Sequence, residues 1–369
     1  MDHQYHELPN LFVFEDGAPV RTVEDWQRRR LELRDMIFDL QYGGFPPQPA
    51  GVHVEDLCIS SPMQRFAKAR YVTLRVVCTT EDGKGISFIL NYYLPQGEGP
   101  FPVILTGDAC WRNTSDYIIL EILHRGYIVA LFNRVEIVPD IRQAGRNTGL
   151  YAVYPELEFG ALSAWAWGYM RAIDALLTQE CVNPEQIAVV GHSRGGKTVL
   201  LAGAMDERIA VVGANNSGSG GAGCYRWQGP KSETLADNMK KFPDWYCPRM
   251  LPYVGREHEL PFDQHGLKAL IAPRALLTLE AYDDLWANPT GTWQTFQAAR
   301  ETYRFLGKED AIGTWYRAGG HGHTTEDWQA FMEFVDWQMR GVAPGRQFDG
   351  NPFPDLPSAY SWSAPAKDN

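Results

Sequence analysis

The sequence predicts an α/β fold: a mostly parallel central sheet with helices on both faces, an antiparallel hairpin at its start and an irregular cap insertion. Three observations carry that expectation. Two alternating segments, 70–77 and 86–94, flank the turn Asp82-Gly83-Lys84-Gly85. Short apolar strands and amphipathic helices then alternate from Pro100 onward. The alternation breaks once, at 215–270, in a stretch crowded with glycine and proline.

Residues 1–60 are polar, Pro-rich and aromatic, with one expected helix at 23–40, and read as an amino-terminal arm over the main domain. The turn at 82–85 folds the first two alternating segments into a hairpin. Strand 103–106, helix 117–124, strand 128–132 and helix 160–178 follow; Val182-Asn183-Pro184 then reads as a turn before strand 185–190, helix 195–205 and strand 209–213. Gly218, Gly220, Gly221, Gly223 and five prolines make 215–270 too rich in breakers for regular layers, so it is expected to be a substrate-side cap within a catalytic domain at 61–340. Strand 275–280, helix 292–305, strand 314–316 and helix 325–339 complete the alternation, and the Pro/Ser-rich tail 341–369 is expected on the surface.

A chain of 369 residues with 44% hydrophobic content fits one large enzyme-sized domain. Its net charge of -11, without runs of like charge, argues against a nucleic-acid partner and requires any bound anion to be met by local cations. No segment approaches the ~18 apolar residues of a membrane span, and Met1-Asp2-His3-Gln4-Tyr5-His6 lacks the cationic and apolar regions of a secretion signal. The expectation is a cytoplasmic monomer as the sequence stands, or a secreted or periplasmic one if a leader preceded it. Six cysteines without Cys-X-X-Cys or Cys/His spacing point to reduced thiols, and no metal or cofactor is expected.

Gly191-His192-Ser193-Arg194-Gly195 follows the apolar run Ile187-Ala188-Val189-Val190 and precedes an Ala/Leu-rich helix. Gly-X-Ser-X-Gly at a strand-to-helix turn lifts a serine hydroxyl above the sheet edge, and the helix start aims N–H groups at a developing oxyanion, as in α/β-hydrolases. In that fold the base and its carboxylate come later, in the order Ser, acid, His. His321, in Gly319-Gly320-His321-Gly322-His323-Thr324 between the last strand and last helix, is the expected base, with His323 as rival. Asp284 is the expected acid, ahead of Asp283, which reads as a solvated neighbour, and Glu280, which reads as part of the strand.

With these residues in place the chain resembles the glucuronoyl esterases of carbohydrate esterase family 15, in their bacterial form. The resemblance runs over roughly residues 15–340. Besides the elbow Gly191 to Lys197, it rests on Gly160-Ala161-Leu162-Ser163-Ala164-Trp165-Ala166-Trp167-Gly168, Asn216-Ser217-Gly218-Ser219-Gly220-Gly221 and Leu260-Pro261-Phe262-Asp263-Gln264-His265. Asp284-Leu285-Trp286-Ala287-Asn288-Pro289 and the stretch from Gly319 to Trp328 complete it. It implies cleavage of esters between 4-O-methyl-glucuronic acid on xylan and lignin-type alcohols by a serine acyl-enzyme. It assigns Ser193 as nucleophile, Arg194 to the oxyanion hole, Lys197 and Glu233 to the sugar hydroxyls and Trp286 to the sugar face.

Two departures from the fungal members sharpen the expectation. Their triad glutamate corresponds to Asn216 here, which moves the acid to Asp284, and their cysteine beside the nucleophile corresponds to His192. An acetylxylan or other carbohydrate acyl esterase is the nearer alternative, because there the sugar supplies the alcohol and Lys197 has no uronate to hold. A prolyl-oligopeptidase-type peptidase lacks its propeller here. An inactive carbohydrate-binding homologue is the alternative of another class, suggested by the 12 tryptophans and the missing glutamate.

Overall fold

Apolar side chains at period two draw the chain into β1 (Gly51–Ile59), β2 (Arg70–Thr79), β3 (Gly85–Leu94), β4 (Phe101–Thr106), β5 (Ile128–Phe132), β6 (Val182–His192), β7 (Ile209–Asn215), β8 (Ala275–Ala281) and β9 (Ile312–Arg317). In this computed structural model, which describes residues 6–142 and 145–366, the strands form one sheet in the order β1-β2-β3-β5-β4-β6-β7-β8-β9. β1, β2 and β3 pair antiparallel and β3 meets β5 antiparallel, while β5 through β9 run parallel. β2 buries Val72, Leu74, Val76 and Cys78 and leaves the alternate positions half-buried or exposed, whereas β8, nearly all of β4 and the second half of β6 are buried on both faces.

Parallel neighbours need crossovers, and helices supply them. In chain order the helices are α1 (Val23–Ile37), α2 (Asp116–His124), α3 (Gly149–Val153), α4 (Ala161–Leu176), α5 (Arg194–Met205), α6 (Leu235–Lys241), α7 (Gln264–Ala269), α8 (Pro289–Leu306) and α9 (Thr325–Arg340). Thr22, Ser115 and Thr324 cap α1, α2 and α9 with their hydroxyls. One core, around Val103, Leu105, Val189 and Val212, is closed by α1, α4, α5, α7 and α8. The other, around Ile104, Val190, Val211 and Leu277, is closed by α2 and α9. Sheet and helices on both faces are thus as the sequence predicts.

Three segments differ from the sequence reading. Residues 51–59, read as part of an arm, are edge strand β1, whose His53, Glu55 and Asp56 hide the alternation that burial on one side requires. Val182-Asn183-Pro184, read as a turn, opens β6, with Val182 in register with Phe101. The tail lies largely on the surface but is anchored there: Phe348 is buried against Phe334 and accepts from Thr314 N at 2.7 Å, so it covers the free edge of β9. Leu8 N donates to Ala359 O at 2.9 Å, which ties the two ends of the described chain together. The 215–270 stretch is less irregular than expected, since α6, α7 and a 3₁₀ helix at Pro248–Tyr253 lie within it.

Candidate active site

β6 ends at His192 and α5 begins at Arg194, so the whole turn falls on Ser193, which takes φ 55° and ψ -121°. A non-glycine residue in that region stores about 1–3 kcal/mol, which its surroundings must hold. Ser193 N donates to Asn215 O at 2.8 Å. Close packing does the rest: a Cβ on Gly191 would overlap the Gly195 carbonyl, and one on Gly195 would overlap the Asp108 carboxylate. Asp108 is buried, accepts from His192 N at 2.7 Å and is ion-paired with buried Arg134. Burial nevertheless raises its carboxyl above the usual range, more than Arg134 lowers it.

The loops after β8 and β9 lie side by side above this turn. His321 Nδ1 is 2.6 Å from Asp284 Oδ2; the carboxylate is buried and the imidazole is exposed. That contact leaves Nε2 as the nitrogen free to serve the cleft. His323 is elsewhere: it stacks on Trp328 at 4.5 Å and on His192 at 5.8 Å, with Nε2 sealed and unpartnered. Burial holds its imidazole well below the ordinary range. Asp283 is exposed and accepts from Gly319 N at 3.1 Å. Glu280 lies within β8 with both carboxyl oxygens buried and unpartnered, and burial raises it well above the usual range. Of the three acidic candidates, the structure brings only Asp284 to an imidazole.

A cavity of about 210 Å³ is lined by Ser193, Arg194, Lys197, Glu233, Trp286 and His321 among others. Lys197, on the first turn of α5, is buried and donates to Ser219 O and, at 2.9 Å, to Glu233 Oε2. Burial pushes its ammonium down, and Glu233 offsets part of that effect. Two of its three donors are occupied, which leaves one for the cavity. Trp286 is exposed, and Lys241 Nζ sits 4.0 Å from the centre of its ring. Trp286 also fixes Glu233, whose N–H donates to the Trp286 carbonyl at 2.9 Å.

Arg194 points its guanidinium away from α5 to Asp140, with Nη1 3.0 and 2.9 Å from the two carboxyl oxygens, and stacks 4.5 Å from the Trp245 ring. Its Nε is buried without a partner. Asp140 and Asp108 escaped the sequence reading. Asp108 follows β4 and Asp140 lies in the segment between β5 and α3, and nothing in the spacing links either to an elbow more than fifty residues later. Asn216, at the position of the fungal glutamate, has φ 42° and donates from Nδ2 to Gly322 O at 3.2 Å, so it braces the histidine loop without a charge. All six cysteines are free, and Cys224 is a thiol whose Sγ lies 3.2 Å from Asp263 Oδ2. Among the described residues no cluster of three His, Cys, Asp or Glu could hold a metal, and no helix is long and apolar enough to cross a membrane.

Comparison with known proteins gives a consistent picture. The family model described as fungal glucuronyl esterase matches residues 77–307. A 4-O-methyl-glucuronoyl methylesterase of Podospora anserina is 32% identical over 329 residues, 86% of this chain; the match spans 64% of that relative's length, slightly under two thirds. A carbohydrate esterase family 15 glucuronoyl esterase from Caldicellulosiruptor kristjansonii superposes with a TM-score of 0.83 at 32% identity, covering 98% of both chains. The glucuronoyl esterase of Sporotrichum thermophile, solved as a variant in complex with methyl 4-O-methyl-β-D-glucopyranuronate, superposes with a TM-score of 0.77 at 26% identity over 94% of this chain and 92% of that one.

Proposed function

From the premise that this chain belongs to the glucuronoyl esterase family, we propose that it hydrolyses alkyl and aryl esters of glucuronic acid and its 4-O-methyl ether through a serine acyl-enzyme. The observation that carries the reading is the single cavity shared by Ser193, His321, Lys197, Glu233 and Trp286. A nucleophile, a base and a set of sugar-sized polar and aromatic contacts meet there.

His321 Nε2 takes the Ser193 proton while Asp284 holds the ring by Nδ1 and stabilises the imidazolium. Ser193 Oγ bonds to the C6 carbonyl carbon, and the negative oxygen is met by backbone N–H groups at the start of α5, including that of Arg194, whose guanidinium stays paired with Asp140. Collapse breaks the carbon–alcohol bond, and the alcohol leaves with the proton from His321. Water then adds to the acyl-enzyme with the same base and releases the uronate. Lys197 and Glu233 donate to and accept from ring hydroxyls, and Trp286 offers its face to the pyranose. Nothing in this scheme calls for a metal or cofactor, or for a second subunit.

Rates on benzyl glucuronate and acetylated xylan, with Ser193→Ala as control and fluorophosphonate labelling of the serine, test the proposal. The expected result is labelling at Ser193, preference for the uronate ester and a loss of at least about 10³-fold in Ser193→Ala. Preference for acetylated xylan would favour an acyl esterase, and a wild type that neither labels nor turns over would favour a carbohydrate-binding protein.

A further inference from the structure

The catalytic contacts leave one question open: what holds a glycine-flanked histidine in register with its acid and its serine. His321 sits between Gly320 and Gly322, the least restrained neighbours a residue can have, and it is exposed to solvent. Hydrogen bonding between the two loops, Asp283 N to Gly319 O at 3.0 Å and Gly319 N to Asp283 Oδ2 at 3.1 Å, secures only the approach to the turn.

Beneath the loop lies Arg317, the last residue of β9 and buried. Its guanidinium is spread over five acceptors. Nε faces both oxygens of Asp327 at 2.9 and 2.8 Å, Nη1 donates to Ala318 O at 2.9 Å, and Nη2 donates to Gly320 O at 3.2 Å and to Gly322 O at 2.8 Å. One nitrogen therefore grips the carbonyls on both sides of His321. Asp327 is buried too, and it is not an idle counter-ion. It closes the capping box of α9, accepting from Thr324 N at 2.8 Å and Thr324 Oγ1 at 2.9 Å. The planar fork thus welds the end of β9, the histidine turn and the start of α9 into one body.

We propose that Arg317 is a positioning residue for the base: it acts through His321 and touches neither substrate nor serine. A lysine would keep the charge and the pairing with Asp327, but one ammonium cannot reach Asp327 and the carbonyls on both sides of the turn. A displacement of the base by about 1 Å is enough to cost on the order of 10²-fold in rate.

The proposal rests on the serine-esterase reading of the site, so the experiment measures the reactivity of Ser193 itself. Phosphonylation rates by a fluorophosphonate are compared for wild type, Arg317→Lys, His321→Ala and the double variant, alongside thermal melts and kcat and KM on benzyl glucuronate. Arg317→Lys is expected to slow phosphonylation and lower kcat by about 30- to 100-fold with KM within about twofold. In the His321→Ala background the same change is expected to do nothing more, because its only route of action is gone. An equal loss in both backgrounds, or a lower melting temperature at unchanged rate per titrated serine, would overturn the proposal and leave Arg317 a purely structural residue. A wild type that labels at Ser193 but spares benzyl glucuronate would count against the substrate assignment alone, since the labelling cycle still decides the role of Arg317.

Discussion

The proposed function gives Lys197 two jobs at once, pairing with Glu233 and holding the uronate, and they can be separated. Its ammonium is sealed against Glu233, and each charge is tolerable only because of the other. Lys197→Met is expected to strand a buried carboxylate at a loss of about 3–5 kcal/mol, and to raise KM for a uronate ester. Adding Glu233→Gln removes the stranded charge, so the double variant is expected to recover most of the melting temperature and none of the KM. Recovery of both would show that the cation does not reach the substrate. Such partnerships mark the limit of reading at this scale. Ser193 and His321 are legible because each sits in a short pattern whose chemistry is local. Asp284 is separated from Asp283 only by the backbone, where a 3₁₀ turn over Leu285–Ala287 begins at Asp284 and buries its carboxylate while Asp283 stays exposed. The Arg194–Asp140 pairing, 54 residues apart, leaves no trace in spacing at all.

The strand-to-helix elbow is a property of two elements and cannot be assigned to the serine alone. β6 and α5 approach so closely that Gly191 faces the Gly195 backbone with no room for a methyl group. Gly191→Ala is therefore expected to cost about 1–3 kcal/mol and to move Ser193 off its φ 55° position, with kcat falling more than stability alone explains. A variant with unchanged kcat and melting temperature would mean that the turn relaxes freely. The same element was readable in advance because the second half of β6, from Ile187 onward, is buried on both faces and announces itself as a short continuous apolar run. Strand β1 was not. At the sheet edge it is half-wet on both sides, so selection for alternating polarity is weak and its charged residues mask the period. The tail is hidden for a related reason: it holds its place by isolated anchors such as Phe348 and by backbone bonds to β9, neither of which produces a periodic signal.

Across the whole molecule, the ends of the described chain converge on α7, and a histidine sits at the junction. His265 is buried, its Nε2 donates to Pro9 O at 2.8 Å, and its ring lies 5.9 Å from that of Trp362 in the tail. Burial drives its pKa down from 6.5 to about 4, so the folded protein keeps the ring neutral through a range in which the unfolded chain protonates it. The sign follows from proton counting: between pH 6.5 and about 4 the unfolded state binds more protons, so this residue contributes stability that is complete above 6.5 and drains as the pH falls. Buried acids such as Glu280, raised by burial, oppose that slope, so the total profile is a poor readout of one histidine. A difference between two proteins isolates it. His265→Gln is expected to be less stable than wild type at pH 7.5, through the lost fit and the altered bond to Pro9. At pH 5 the wild type pays for holding His265 neutral and the variant does not, so the gap narrows by about 2 kcal/mol. Urea unfolding of both proteins at the two pH values measures that gap, and a gap independent of pH would mean that His265 is protonated in the folded state or titrates without coupling to the closure of the chain ends.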